Sequence, residues 1–433
     1  MRTSSLIHKR IVFLHYTAPS VIGGVEIVIG QQAKLFDRAG YSTIIISGRG
    51  GNFKPFYQVD DVIIPELDSE YREVLSVQED LVGGVVPDAF YRLREKIKKE
   101  LIQVLTPNDV VIAHNIMTTH FNLSLTSAIH DLVNDKTIKC LIIWCHDISR
   151  YINPESSSAQ IKGFPWDLLR TFRPDSTYVA VSTHRKRALA KIIEQPMNKI
   201  HLIPNGVDPA ELLDLSEFGE QLVNEFGLLS ADLVILMPIR ITRAKNIEFA
   251  MQICNDLKKT GMRIKLLITG PPDPHIPDIE TYYSELKDLR ITLNLTDEVI
   301  FINEGISSFP SPLYINQKTI AELYRICDLV LMPSIREGFG LPVLEAGLVD
   351  KPIFATRMPI IEDLGAGLVF IIKDGELPEE VALRIKNWVD QDVSHNLRVE
   401  VRKNFIWSSV FINKIEPLVM QVAGLQAGIH HEG

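Results

Sequence analysis

Short apolar runs that alternate with helical patterns are the feature that most restricts the fold of this 433-residue chain. Six such runs precede residue 207 and five follow residue 232: RIVFLHY, STIIISG, DVVIAHN, CLIIWCH, TYVAVS and IHLIPNG, and then LVILMPI, RIKLLITG, EVIFIN, DLVLMPS and KPIFAT. Runs of this length, rich in Val, Ile and Leu, are typical of strands that are buried on both faces of a parallel sheet. Because helical patterns lie between them, the chain is predicted to be an α/β protein with two Rossmann-like halves.

The two series of strands meet near residues 206 to 232, which predicts a domain boundary there. Two domains of about 200 residues each suit a chain of this length. Open parallel sheets bind their ligands at the carboxyl ends of the strands. The residues that carry chemistry are therefore expected directly after strands, in the loops that lead into the next helix.

Composition excludes several functional classes. A formal net charge of −9 argues against a nucleic-acid-binding protein, since such proteins need a basic face. The four cysteines form no C-x-x-C pair, so neither a disulfide framework nor a zinc site is predicted. The apolar run from Ile11 to Leu14 is too short for a signal peptide or a membrane span. We therefore expect a cytoplasmic protein.

The stretch PSIREGFGLPVLEAG, residues 333 to 347, follows one of the predicted strands. Pro342 suits the first turn of a helix, so the preceding loop leads to a helix N-terminus, where unpaired N–H groups favour an anion. Glu345, about one turn further on, is placed to accept hydrogen bonds from the two hydroxyls of a ribose. A nucleoside diphosphate fits both features. Alternatively, Glu345 only favours the helix dipole and Glu337 is a solvated loop charge.

Several motifs, taken together, resemble the family-four retaining glycosyltransferases. EGFGLPVLE, from Glu337 to Glu345, is similar to the E-x7-E signature of that family, and IRITRAKN contains Arg240 and Lys245 where the family has its basic pair. IPNGVD is similar to the family's interdomain junction, and IGGVE to its glycine loop after the first strand. FIWSSVFINKI, residues 405 to 415, resembles the segment by which the last helix crosses back to the N-terminal domain.

The resemblance implies a GT-B fold with two Rossmann-like domains and a retaining hexosyltransferase. The donor would be a UDP-, GDP- or ADP-linked sugar, and the acceptor an unidentified small molecule, glycan or lipid. Residues 1–206, completed by 405–433, would bind the acceptor, and residues 207–404 would bind the nucleotide sugar. No cofactor is implied, and the sequence contains no convincing D-x-D metal motif, which predicts that no metal is required.

The resemblance also implies roles for individual residues. Arg240 and Lys245 would hold the donor diphosphate, Glu337 would face the transferred sugar, and Glu345 would bind the ribose. His146, in IIWCHDISRY, would orient the reacting sugar, although a histidine there could equally be a hydrogen-bonded core residue. The full set of predicted site residues is Glu337, His146, Arg240 and Lys245 as catalytic residues; Glu345, Gly338, Phe339, Gly340, Leu341, Gly23 and Gly24 for the donor; and Asp147 and Arg150 for the acceptor.

Three alternatives stay open at this point. The basic amphipathic stretch YRLREKIKKELIQVL, residues 91 to 105, fits either peripheral membrane contact or a helix packed on its own domain, and the second is favoured. The enzyme could be a nucleotide-sugar epimerase of the same architecture. The chain could also be a non-catalytic subunit that binds a nucleotide sugar.

Overall fold

A computed structural model describes residues 9–51, 58–153, 156, 160–306, 315–365 and 367–424. Two parts of the sequence interpretation lie outside the described residues: the first eight residues, and residues 425–433 of the predicted final segment. The chain divides into two compact units, which we call the N-terminal domain (Met1–Gly206 with Trp407–Gly433) and the C-terminal domain (Val207–Ile406).

The N-terminal domain is built on a seven-stranded parallel sheet with the order β3-β2-β1-β4-β5-β6-β7. All six apolar runs predicted in this half form strands. The remaining strand, β3, was not predicted. Its sequence VDDVI has two aspartates in place of an apolar run, and the strand lies half-exposed at the edge of the sheet. The strands are β1 Arg10–Leu14, β2 Ser42–Ser47, β3 Val59–Ile63, β4 Val110–His114, β5 Cys140–Cys145, β6 Ser176–Ala180 and β7 Ile200–Leu202.

Helices cover both faces of this sheet. α1 lies on one face and α2 to α5 on the other, and each face has its own apolar cluster. The amphipathic stretch noted above is α3, whose apolar stripe is buried in the cluster it shares with α2, α4 and α5. These helices are α1 Gly24–Arg38, α2 Arg72–Val82, α3 Asp88–Val104, α4 Leu123–Asn134 and α5 Thr183–Ile192.

The C-terminal domain has a six-stranded parallel sheet with the order β10-β9-β8-β11-β12-β13. The five predicted runs form strands, and β13, a three-residue strand at the edge, was missed because it is too short to give a pattern. The strands are β8 Leu233–Met237, β9 Ile264–Ile268, β10 Val299–Phe301, β11 Leu329–Met332, β12 Ile353–Thr356 and β13 Phe370–Ile372.

Helices again cover both faces, with α8, α9 and α14 on one side and α7, α11, α12 and α13 on the other. The apolar side chains of each helix recur at spacings of three and four, as a helix that packs on a sheet requires. The helices are α6 Pro209–Leu212, α7 Glu217–Glu225, α8 Ile247–Lys259, α9 Ile279–Thr292, α10 Ile302–Ile306, α11 Gln317–Ile326, α12 Leu341–Leu348, α13 Pro359–Gly365, α14 Pro378–Gln391 and α15 Val393–Asn404.

The end of the chain returns to the N-terminal domain as α16 (Trp407–Val410), a π-helical turn (Phe411–Ile415) and α17 (Glu416–Val422). These elements cover the sheet face beside α1, where Phe411 meets Phe36 edge-on with ring centroids 4.8 Å apart. Gly206 lies against the return, since a Cβ at this position would come within 2.8 Å of Trp407. Two Rossmann-like domains and a returning C-terminal helix are what the GT-B prediction requires, and that prediction is confirmed.

No helix among the described residues is both long and apolar enough to cross a membrane.

Candidate active site

A cavity of about 740 Å³ opens at the carboxyl ends of strands β8, β9 and β11 in the C-terminal domain. A second cavity, of about 750 Å³, adjoins it, and the two share Thr242, Lys245, Asp273 and Glu337 in their walls. Of the predicted site residues, the first cavity is lined by Arg240, Lys245, Glu337, Phe339, Gly340, Leu341 and Glu345, and Gly338 lines the second. The structure therefore brings together all the site residues that were predicted in this domain.

The loop between β11 and α12 has the geometry expected from its sequence. Gly340 has φ of 75°, a left-handed conformation that favours glycine, and it immediately precedes the first residue of α12. Pro342 occupies the first turn, and no side chain caps the helix N-terminus. In this first turn Pro342 has no N–H and the N–H of Val343 donates to the carbonyl oxygen of Gly340, so the backbone N–H of Leu341, which lines the cavity, is the group available to an anion.

Glu337 is held by two donors on the same oxygen. Its Oε1 accepts hydrogen bonds from Lys245 Nζ and from Ser334 Oγ, each at 2.6 Å. The side chain of Glu337 is only 8% exposed, so the ion pair with Lys245 compensates a nearly buried charge. Lys245 ends a 3₁₀ turn, Arg243–Lys245, which follows the end of β8.

Arg240 is the most available cation of the cavity. Its side chain is 63% exposed, and the nearest carboxylate oxygen, Oδ2 of Asp273, lies 3.9 Å away. Gly270, which follows β9, lets the backbone just before Arg240 pass close to it, because a Cβ on Gly270 would collide with the carbonyl oxygen of Ile239. An exposed guanidinium with a single distant partner can form a bidentate contact with a phosphate.

Glu345 lies on the exposed side of α12, with its side chain in the cavity wall. Its Oε2 accepts a 2.6 Å hydrogen bond from the hydroxyl of Tyr324, a buried residue of α11. Neither Tyr324 nor Ser334 was predicted as a site residue. The contact between Tyr324 and Glu345 joins two helices and no local motif marks it, whereas Ser334 lies only three residues before Glu337 in the same loop.

A chain of histidines lies at the carboxyl edge of the N-terminal sheet. His146 Nε2 is 2.9 Å from Nδ1 of the fully buried His114. His15 Nδ1 donates a 2.8 Å hydrogen bond to the carbonyl oxygen of His114. Burial, and then the charge on His15 when that residue is protonated, lowers the pKa of His146 to about 3. Burial likewise lowers the pKa of His114 and of His15, so all three rings are neutral at pH 7.

Asn115 fixes the loop that carries His146. It adopts φ of 61°, and its Oδ1 accepts hydrogen bonds from the backbone N–H groups of His146 and Asp147, at 2.8 and 2.9 Å. Asparagine tolerates this left-handed conformation better than most residues. His15, His114 and Asn115 were all missed by the sequence interpretation, although each follows or ends a strand.

The predicted acceptor residues are exposed and face different partners. Asp147 pairs with Arg185 at 3.0 Å, and the Arg150 guanidinium lies 4.9 Å from the ring centroid of Tyr151. Their position after β5 is as expected from the sequence. Their role in binding an acceptor stays a prediction.

The glycine pair at the start of α1 has two different environments. A Cβ on Gly23 would collide with the carboxylate of Glu26, whereas Gly24 has nothing within 4 Å of such an atom. Glu26 accepts a hydrogen bond from Thr17, and its Oε1 lies 3.9 Å from His15 Nε2. Gly23 therefore lets Glu26 fold back toward the edge of the sheet, and no such requirement is seen for Gly24.

Within the part of the chain that the structure describes, no group of three or more His, Cys, Asp or Glu side chains is placed to hold a metal ion.

Two family models match adjacent parts of the chain. The model described as "Glycosyltransferase Family 4" matches residues 22–211, and the model described as "Glycosyl transferases group 1" matches residues 220–406. The two matches follow the two domains and cover most of both.

Individual relatives are distant. An uncharacterized glycosyltransferase of Methanocaldococcus jannaschii is 25% identical over 54% of this chain and 57% of its own length, so the chain spans little more than half of that protein. The mannosylglucosylglycerate synthase of Thermotoga maritima is 23% identical over 79% of each chain. Among solved structures, Anabaena HepE in complex with UDP is 17% identical, with 94% of this chain and 99% of that one covered and a TM-score of 0.34. A TM-score this low supports no inference of its own.

Proposed function

Because the chain belongs to the family-four glycosyltransferases, we propose that it transfers a hexose from a nucleoside diphosphate sugar to an acceptor hydroxyl, with retention of configuration at the anomeric carbon. The observation that carries this proposal is the convergence of Arg240, Lys245, Glu337 and Glu345 on one cavity of about 740 Å³. Two cations, an uncapped helix N-terminus and two carboxylates fit a diphosphate that carries a sugar at each end. The acceptor is a small molecule, a glycan or a lipid.

The cations stabilise the leaving diphosphate. When the glycosidic bond breaks, negative charge grows on the phosphate oxygens while the sugar becomes oxocarbenium-like, so fixed positive groups lower the barrier. Arg240 offers a bidentate fork and Lys245 a point charge. Lys245 Nζ has three protons, so it can keep its bond to Glu337 and donate to a phosphate as well.

Glu337 and Glu345 bind the two sugars of the donor. Both donors to Glu337, Lys245 and Ser334, bond to Oε1. We assign its second oxygen, Oε2, to a hydroxyl of the transferred hexose, and we assign Glu345 to the ribose. Retention through attack on the same face as the leaving phosphate needs no second carboxylate as a nucleophile, unlike a retaining glycosidase.

The N-terminal domain supplies the acceptor side, and its His146 is assigned to orient the reacting sugar. His146 is neutral at pH 7 and hydrogen-bonded through Nε2, so it is suited to orient a hydroxyl rather than to carry a charge. Asp147 and Arg150 are exposed polar groups on the same loop and are assigned to the acceptor. The proposed location is the cytoplasm, which is supported by four cysteines that are all free.

A ligand panel tests the proposal. Thermal unfolding of the full chain is measured with UDP, GDP, ADP and their common hexose derivatives, because a ligand at about 100 times its Kd stabilises by ~2.7 kcal/mol. We expect one base and one sugar to raise the Tm, and the rise to disappear in Arg240→Ala. Arg263→Ala is the matched control, since Arg263 is an exposed arginine of the same domain that pairs with Asp232. No rise with any nucleotide, in a folded sample, would overturn the proposal.

Two further measurements, product analysis without acceptor and donor binding by Glu337→Ala, separate the alternatives. Turnover of the donor to an epimeric sugar without acceptor identifies an epimerase. Binding of the donor with full indifference to Glu337→Ala identifies a non-catalytic subunit.

Metal independence is a further part of the proposal. Transfer is expected to proceed at an unchanged rate in the presence of a strong chelator, because the two cations and the helix N-terminus supply the positive charge on the diphosphate. A complete loss of activity that Mg²⁺ or Mn²⁺ restores would contradict this part and leave the donor assignment intact.

A further inference from the structure

The hydroxyl of Tyr324 and the carboxylate of Glu345 form a contact that the proposed roles leave unused. Tyr324 is only 3% exposed, and its ring is packed in the apolar cluster beneath α11 and α12. The hydroxyl emerges at the cavity wall, where it donates to Glu345 Oε2 at 2.6 Å. This distance is typical of an O–H donor bonded to a charged carboxylate.

We propose that Tyr324 is a positioning residue that holds Glu345 in one conformation, so that its second oxygen, Oε1, is presented to the hydroxyls of a ribose. The proposal rests on the proposed function, which places a nucleoside diphosphate in this cavity. Its consequence is that discrimination between ribose and 2′-deoxyribose depends on Tyr324 as well as on Glu345.

The physical basis is the contrast in freedom between the two side chains. Glu345 lies on the exposed side of α12, where a glutamate samples several rotamers at little energetic cost. Tyr324 cannot move in this way, since its ring is enclosed by core residues. A short hydrogen bond to a fixed donor therefore selects one conformation of a mobile acceptor, and less rotamer freedom is lost when the ligand binds.

The hydroxyl stays a donor at all relevant pH values. Burial, and then the neighbouring carboxylate of Glu345, raises the pKa of Tyr324 far above its usual range. In this geometry Oε2 is engaged by the tyrosine, and no described residue donates to Oε1. Oε1 is thus the atom left for the ligand.

Ser334 plays a similar part at the other carboxylate. It is fully buried and donates to Glu337 Oε1, which leaves Oε2 without a donor among the described residues. Each carboxylate of the pair therefore has one oxygen bonded to a buried hydroxyl of the protein.

If Tyr324 had only a structural role, its substitution would have a different effect. A buried tyrosine hydroxyl needs an acceptor in any case, and Glu345 is the acceptor within reach. On that reading, removal of the hydroxyl changes stability but not the preference of the site for ribose.

The test is calorimetric titration of the full chain with UDP, GDP and ADP and with their 2′-deoxy forms. Tyr324→Phe is expected to weaken the bound ribonucleotide about 5- to 10-fold and to leave the 2′-deoxy form within about twofold. In a Glu345→Gln background the same substitution is expected to have no further effect. Tyr283→Phe is the matched control, because Tyr283 is a buried tyrosine of the same domain that is not among the described residues lining either cavity. In turnover assays the KM for the donor should rise in Tyr324→Phe while kcat changes little.

The outcomes separate the two proposals. If the wild-type protein binds a ribonucleoside diphosphate and Tyr324→Phe binds it equally well, or loses both sugar forms equally, the positioning role is wrong and the proposed function stands. If the wild-type protein binds none of the six nucleotides, the proposed function fails, and the role of Tyr324 fails with it.

Discussion

The two domains share a strand order but differ in the chemistry at the carboxyl edge of the sheet. In each domain the first strand lies beside the second and the fourth, and the third lies outside the second. At the edge of the N-terminal sheet His15, His114 and His146 form a hydrogen-bonded chain of neutral rings, of which the first two are buried, and the charged groups Asp147 and Arg150 lie on the exposed loop that follows. At the edge of the C-terminal sheet the groups are charged and line cavities open to a ligand.

This difference follows from the cost of burial. An isolated charge is expensive in a protein interior, so a buried group either finds a partner or becomes neutral. Lys245 and Glu337 follow the first course as an ion pair, and His114 and His146 follow the second through a lowered pKa. The topology therefore determines where a site lies, whereas burial determines which charged groups the site can keep.

Acidification should affect the N-terminal domain far more than the C-terminal one. The pKa values of His15, His114 and His146 are lowered in the folded protein. Below pH 6.5 the unfolded chain therefore binds protons that the folded chain does not bind. Stability from these groups is therefore full above pH 6.5 and is lost as the pH falls, for His146 down to about 3. Within that pH range, each such histidine lowers the free energy of unfolding by roughly 1 kcal/mol per pH unit. Glu26 offsets part of this at His15.

Hydrogen exchange at pH 7 and pH 5, followed by mass spectrometry, resolves the two domains. We expect the sheet of the N-terminal domain to lose protection while the C-terminal sheet keeps it. Among the described residues of the C-terminal domain, His395 is the histidine with a lowered pKa, so the exchange of α15, which carries it, gives the internal comparison. An equal loss in both domains would show that the histidine chain does not set the acid response.

Removal of the ion pair in the C-terminal site should slow transfer strongly. Lys245→Ala and Glu337→Ala are each expected to lower kcat by about 10²- to 10³-fold, which corresponds to about 2.7–4 kcal/mol of lost transition-state stabilisation. Lys258→Ala is the matched control, because Lys258 forms a 2.8 Å ion pair with Glu298 and is not among the described residues lining the cavities. Initial rates and circular dichroism are measured side by side. Wild-type rates in both site variants would refute the assigned roles.

Substitution of Asn115 is expected to have the smallest effect of these variants and the most local one. Asn115→Ala removes the acceptor for two backbone N–H groups and puts a less tolerant residue at φ of 61°, so it should destabilise the domain by about 1–3 kcal/mol. Asn115→Asp retains an acceptor oxygen and should lose less. Urea unfolding of both variants gives the comparison. An equal cost for the two variants would show that the Asn115 hydrogen bonds do not hold the loop.

The strands and the C-terminal site could be predicted because their signals are local. A continuous apolar run marks a buried strand, whereas β3 and β13 lie at sheet edges and show no such run. Likewise, Glu337 and Glu345 fall within one nine-residue motif that also contains the helix start.

Most of the supporting contacts could not be predicted because they join distant parts of the chain; the bond from Ser334 to Glu337, three residues apart, is the local exception. Tyr324 and Glu345 are 21 residues apart, and Lys245 and Glu337 are 92 apart. His15 and His114, 99 residues apart, meet only because β1 and β4 are neighbours in the sheet. A strand order is needed before such pairs can be named, and a single sequence does not supply it. The roles of the predicted site residues in catalysis and binding stay predictions.

The return of the chain end to the first domain has a consequence for biosynthesis. The sheet face beside α1 is covered by Trp407, Phe411 and Leu418, which are synthesised only after the C-terminal domain. At roughly 5–20 residues per second, synthesis of the intervening domain leaves that apolar face uncovered for about 10 to 40 s. The nascent protein therefore needs a temporary cover for this surface, and a chain truncated before Trp407 should be a client of chaperones even though every strand of its sheet has been made.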